Sequence, residues 1–380
     1  LYSFAVLPIQ HSHFFIVDNF ATLFVLCTLT LSVHAVLTGR RWPLLIGGIT
    51  TGLAVASKIS TWPTALIVAA GGMLHQRRAN SRNTYELTID VPSLLALVGS
   101  GLLAAIAFRT AQPYAFAGPG FFNVSLNESW MESMRYIRRL VSGEIDVPYG
   151  HQWANRTPIV FPWRNMVVWG LGLPLGLTAW LGWGVLAWQA IRRRRWILLL
   201  PWLWATGFFL YQGVQWVKSM RYLLPVYPIF VLFAAWISVW GSRKLLDLEP
   251  RSRPLRRLVT TLGRVVPWLA LVGAALWAAA FMQIYVRPFT RIAASRWIYN
   301  HIPTAVTLHT ESGQQHQLPI TPHTQLSTTT GPLAVPLTVE TNGTVSHVTL
   351  NKVNFESGTG ERTVRVVLSR DPGVTDVLSE

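Results

Sequence analysis

Charge is what this chain has least of. Only 13% of its 380 residues are Asp, Glu, Lys or Arg, about half the roughly 25% usual in soluble proteins. Acids are scarcest, 16 against 32 Lys and Arg, and Asp18 is the only one in the first 85 residues. Cys27 is the single cysteine, which excludes an internal disulfide and says nothing about redox compartment. No metal-ligand spacing, phosphate-binding Gly loop or nucleophile elbow occurs. There is no repeat of fixed period and no Rossmann-like soluble segment, which disfavours a nucleotide-sugar substrate.

What is present is apolar: 51% of residues are hydrophobic, and 18 are Trp. Long apolar runs recur from Phe15 to Tyr285. About 18 or more such residues can cross the roughly 30 Å hydrocarbon layer as a helix. The net charge of +16 would suggest nucleic acid in a soluble protein. Here half of the Lys and Arg fall in four loops placed inside: Arg40-Arg41, Arg77 to Arg82, Arg192 to Arg195, and Gly241 to Arg264 with seven basic residues. The positive-inside rule accounts for that pattern, so no nucleic-acid partner is expected.

The expected spans are Phe15 to Leu37, a short hairpin of Pro43 to Ser57 and Thr61 to Leu74, then Val91 to Phe108, Asn165 to Ile191, Trp196 to Tyr211, Tyr222 to Trp240 and Val265 to Tyr285. The hairpin is preferred over one kinked crossing because it keeps both arginine clusters on one face. Leu1 to Ile9 reads as the tail of a helix, and the chain as a fragment lacking its N-terminal part. Residues 110–164 form a long outer loop, in which Met131 to Leu140 is expected as an amphipathic surface helix with Arg135, Arg138 and Arg139 reaching lipid headgroups. After about Arg287 the composition turns polar. Val345 to Leu350 and Thr363 to Leu368 alternate with period two and predict strands, with a turn at Gly358-Thr359-Gly360. The expected fold is therefore an all-α polytopic membrane protein over 1–286 with a small β-rich extracytoplasmic domain over 287–380.

This topology places Asp18, Lys58, Arg109, Lys218 and Arg221 at outer helix ends. Ionisable groups in membrane helices are costly and usually face a bundle interior or wet cavity. Lys218 and Arg221 are three apart and suit a phosphate; snorkelling to headgroups is the alternative, for Arg109 especially. Asp18 either caps its own helix or serves as general base or cation partner. His11 and His13 read as interface histidines. Gln112 to Phe116, including Tyr114, and Asp146 to Trp153, including His151, Gln152 and Trp153, combine rings with amides and acids as a sugar-binding surface does; anchoring at a membrane surface explains them equally. Asn123, Asn127, Asn155 and Asn342 begin N-glycosylation acceptor patterns, which are common by chance.

Four segments carry a resemblance. His11 to Phe20, Gly52 to Ser60, Lys218 to Pro228 and Ala293 to Pro303 resemble, in order, motifs of the protein-mannosyltransferase-like, or dolichyl-phosphate-mannose glycosyltransferase family 39, proteins. These belong to the GT-C superfamily, with the aminoarabinose transferase of lipid A as a relative. The resemblance covers about residues 1–311. It implies a GT-C-like multi-pass enzyme of the plasma membrane that moves a sugar from a polyprenyl-phosphate carrier to a protein, lipid or glycan acceptor on the non-cytoplasmic face. Asp18 matches the family's second outer-loop acid, while Lys58, Lys218 and Arg221 match positions near the carrier phosphate. Arg109 is a further phosphate candidate, and His13, Tyr114, His151, Gln152, Trp153 and Tyr222 are sugar or acceptor candidates. No cofactor is called for, with a divalent metal left open. The family's principal acid would precede Leu1. The rival expectations are a transporter or flippase for an anionic lipid-linked solute, which would show paired broken helices, and a membrane-anchored carbohydrate-binding protein acting through its β-rich end.

Overall fold

Helix ends in this chain follow from local chemistry. Leu1 to Ile9, expected as the tail of a span, instead contains α1 (Val6–Ser12), only two turns long. α2 (Val17–Thr38) stops at Gly39, whose φ of 69° is the left-handed conformation glycine adopts without a Cβ penalty. α3 (Trp42–Ser57) and α4 (Thr64–Met73) lie either side of Lys58. A hairpin that the sequence pattern does not announce follows: β1 (Leu74–Ala79) pairs antiparallel with β2 (Arg82–Leu87). α5 (Val91–Ala111) begins where the Asp90 carboxylate accepts the Ser93 N–H at 2.8 Å. Packing between α3 and α5 depends on small residues. A Cβ on Gly48 would run into the Ser100 carbonyl and one on Gly52 into that of Ala104, and Ser100 Oγ donates across to the Leu44 carbonyl at 2.8 Å.

The computed structural model describes residues 1–79, 82–118, 120–193, 196–248, 252–287, 289–301, 304–320, 333–338, 342–350, 364–371 and 374–379. Arg194, Arg195, Arg251, Ile302, Pro303, Thr363 and the expected turn at Gly358 to Gly360 lie outside them.

Within residues 110–164, α6 (Glu128–Ser142) forms where an amphipathic helix is expected, capped by Asn127 and ended by Gly143 at φ 86°. None of its residues is buried. The single helix expected over Asn165 to Ile191 is interrupted. α7 (Val160–Asn165) runs into a π-turn at Met166–Gly170 before α8 (Leu173–Arg192) starts. Gly172, at φ 89°, makes the break, and Pro174 cannot supply a helical N–H there. α9 (Leu199–Gly213) leads through a loop to a 3-10 segment, Met220–Val226, continuous with α10 (Tyr227–Leu246). Tyr227, Phe230, Phe233, Met166, Leu171 and Leu175 are fully buried and form the centre of the core.

Gly241 to Arg264 is not a loop. α10 persists to Leu246, and α11 (Arg253–Val286) already begins at Arg253. Its Arg and Leu residues are good helix formers, and Pro254 suits a first turn. Pro267 lies inside α11 and cannot donate to the carbonyl of Gly263; Ser242 Oγ of α10 donates to that carbonyl instead, at 2.6 Å.

Among the described residues, four stretches could by length and composition cross a membrane: Val17–Thr38, Val91–Ala111, Met220–Leu246 and part of Arg253–Tyr299. Fewer helices meet that standard than the sequence has apolar runs. α4, with ten residues, is only about 15 Å long. Leu94, Leu95, Val98 and Leu102 of α5 and Leu269 and Leu276 of α11 remain exposed, apolar surface compatible with a membrane protein.

Two compact units divide the chain, residues 1–282 and 283–380. The second contains α12 (Thr290–His301) and a three-stranded antiparallel sheet of β3 (Thr304–Thr310), β4 (Gln315–Ile320) and β5 (Val345–Leu350), with β3 central. β6 (Leu368–Ser369) and β7 (Val377–Ser379) form a separate pair. The strand expected over Thr363 to Leu368 shrinks to that short β6. Residues 364–367 have no ladder partner among the described residues, and alternation alone does not satisfy backbone groups.

Candidate functional site

Three distant segments converge on the Tyr222 ring and the ion pair beside it. α2 carries Asp18 in its first turn, nearly excluded from solvent at 3% exposure. Ile16, not Asp18, is the N-cap of α2; the Asp18 carboxylate pairs with the ammonium of Lys58, which follows the last turn of α3. Lys58 Nζ lies over the Tyr222 ring, 4.5 Å from its centre, and the Arg221 guanidinium lies 5.6 Å from the same centre. Tyr222 belongs to the 3-10 segment that leads into α10. Asn19 Nδ2 donates to the His11 carbonyl at 3.0 Å and ties α1 to the start of α2. His11 Nδ1 is buried without a hydrogen-bond partner among the described residues. Burial lowers the His11 pKa below the ordinary histidine range; Asp18 opposes the shift, while Arg221 and Lys58 add to it.

Beside this cluster is a cleft of about 400 Å3. Arg221 and Tyr222 line it together with Tyr149, Gln152, Trp153 and Trp216. Its walls are braced from α6: the N–H groups of Trp216 and Val217 both donate to the Val141 carbonyl, at 3.1 and 3.3 Å. Gly143 abuts the Trp216 ring, and a Cβ there would sit 2.7 Å from it. Gln152 Nε2 donates to the Tyr149 carbonyl at 2.8 Å, and Trp153 meets Phe161 edge-on. The cleft therefore offers a cation, an amide and several ring faces, the combination that phosphate and sugar hydroxyls use.

The remaining sequence candidates are elsewhere. Lys218 is buried; its Nζ donates to the Trp216 carbonyl at 3.2 Å, and desolvation lowers its pKa. Arg109 is spent on the 110–164 segment: Nε and an Nη donate to the carbonyls of Phe121 and Gly120, and its guanidinium lies 4.6 Å from the centre of the Phe116 ring. His151 Nε2 meets Asp146 at 2.7 Å on the surface. Tyr114 is exposed, and His13 lines a separate shallow depression of about 380 Å3 with Phe14, Phe15 and Phe20. Among the described residues no three His, Cys, Asp or Glu side chains converge on one point.

The sequence pattern covers Tyr149 only within the Asp146 to Trp153 stretch and gives Trp216 no place in the site. The signal for Trp216 was Gly143, a helix-ending glycine whose missing side chain makes room for the indole. No protein-family model, curated protein or solved structure matches the chain.

Proposed function

We propose that this chain is the helical part of a GT-C-type membrane glycosyltransferase, with a polyprenyl-phosphate-linked sugar as donor and an acceptor on the non-cytoplasmic face of the plasma membrane. The observation that carries the reading is the convergence of Asp18, Lys58, Arg221 and Tyr222. They come from three segments, His11 to Phe20, Gly52 to Ser60 and Lys218 to Pro228, each resembling a different motif of that family.

In this reading Arg221 grips the carrier phosphate with paired donors. Lys58 adds a second positive charge, held in place by Asp18 and the Tyr222 face. As the bond between the anomeric carbon and the phosphate oxygen breaks, negative charge grows on the leaving phosphate. Preorganised cations aimed at that oxygen stabilise it more than they stabilise the ground state. Gln152, Trp153, Tyr149 and Trp216 would hold the sugar or the acceptor in the cleft. The bilayer supplies the carrier, so lipid is both solvent and substrate reservoir.

A second reading, a flippase for the same class of lipid-linked anion, draws on the helix break at Gly172, since broken helices are a transporter feature. The full-length protein in liposomes separates the two. Sugar transfer from a polyprenyl-phosphate sugar, abolished by Arg221→Ala at unchanged expression, is expected. Unchanged transfer by that variant overturns the phosphate role. Flipping of the donor without any transfer replaces the enzyme reading with the transporter one.

A further inference from the structure

The polar face of the sheet in the second unit holds a feature that sugar transfer does not use. His309 of β3 and His347 of β5 are direct cross-strand partners. Their imidazoles stack with centres 4.0 Å apart and planes 9° from parallel. Alternation puts Thr307, Thr349, Gln315 and Gln317 on the same face, while Val306, Leu308, Val348 and Leu350 take the other. His316 opposes Leu308 and so belongs to that apolar face. His347 is exposed and His309 half-exposed.

We propose that His309 and His347 form a two-imidazole binding site for a divalent transition-metal ion, Cu2+ most tightly. Imidazole suits copper, nickel and zinc, and affinity peaks at Cu2+ along the first row. Metal–nitrogen bonds of about 2.0–2.1 Å put two ligand nitrogens roughly 3 Å apart for adjacent positions around one ion. The stacked rings hold their in-plane lone pairs nearly parallel, so chelation requires one imidazole to turn out of the stack toward the shared ion. Supporting contacts are present. Ser346 Oγ lies 3.2 Å from His347 Nδ1 and also donates to the His309 carbonyl at 2.9 Å. In the tautomer that gives its Nδ1–H to Ser346, His347 presents a bare Nε2 lone pair, the arrangement usual for a metal-bound histidine. Thr349 Oγ1, 3.1 Å from His309 Nε2, orients the second ring in the same manner. Two protein nitrogens leave the remaining positions to water, so the site is open and exchangeable.

The test is Cu2+ titration of the full chain in detergent at neutral pH, followed by electron paramagnetic resonance and by calorimetry. Wild-type protein should bind one more equivalent than the His309→Ala/His347→Ala variant, with nitrogen hyperfine structure from two imidazoles. Each single variant should weaken that equivalent by more than the roughly 10-fold that losing a supporting partner costs, and His316→Ala should leave it intact. His309→Gln and His347→Gln, which keep a polar side chain of similar reach, guard against loss through misfolding and should give the same weakening. Equal stoichiometry in wild type and double variant, or equal loss in His316→Ala, overturns the proposal. None of these readouts depends on sugar transfer.

Discussion

The pair of Asp18 and Lys58 permits a prediction with a direction as well as a size. Both side chains are largely buried, 5% and 15% exposed. Removing one partner of a buried pair costs about 3–5 kcal/mol because the other charge is stranded. Neighbours modulate that cost. Lys58 without Asp18 still faces the Tyr222 ring at 4.5 Å, a contact worth up to about 2 kcal/mol when desolvated, but the Arg221 guanidinium then repels it unopposed. Asp18 without Lys58 keeps the start of α2, worth about 0.3–1 kcal/mol. Asp18→Asn and Lys58→Met should therefore each cost about 1–5 kcal/mol, from the same magnitudes. The double variant should sit near the milder single one, because two neutral side chains strand nothing. Equilibrium unfolding in mixed micelles, followed by fluorescence of the 18 Trp, measures all four corners of the cycle. Additivity within about 0.5 kcal/mol refutes the reasoning.

Two further outcomes are expected. His11 has its pKa lowered by burial in the folded chain, so its neutral ring contributes stability that is complete above the unfolded value of about 6.5 and is lost as pH falls below it; unfolding midpoints from pH 8 to 5 should fall more steeply for wild type than for His11→Phe, and parallel profiles count against this. Gly52→Ala should destabilise, by about 1–3 kcal/mol for overpacking against the Ala104 carbonyl, whereas Gly101→Ala, with open space around it, should stabilise by roughly 0.5–1 kcal/mol; the same sign for both would show that close packing of α3 on α5 is not what Gly52 provides.

What was legible in the sequence was what local chemistry decides. α2 and α5 are unbroken apolar stretches whose ends are marked by Gly39 and Asp90, so length and punctuation suffice. The interruption before α8 was hidden because Leu171, Gly172 and Leu173 are as apolar as their flanks, and hydropathy does not record a positive φ. The basic stretch before Val265 resembles a loop when charge is read as topology, although Arg, Leu and Lys favour helix as readily. β1 and β2 are polar and short, without alternation, and are defined by each other. In the candidate site, Asp18 and Lys58 stood out singly as charges in apolar surroundings. Their pairing, across 40 residues, is a product of how α2 and α3 pack and has no spacing to betray it. Arg109 looked equally conspicuous, yet the backbone at Gly120 and Phe121 supplies the acceptors it needs, and a carbonyl leaves no mark in composition.

Pro267 illustrates how a defect becomes an address. α11 meets α10 at few points, so apolar packing between them does little to fix their alignment. The proline exposes one carbonyl at one level, and Ser242 stands at the matching level to take it. The flaw thus serves as a notch that only a single alignment of the two rods can fill. Tolerance of an inserted or deleted residue between Ser242 and Gly263 would be governed by that notch before any apolar contact was lost.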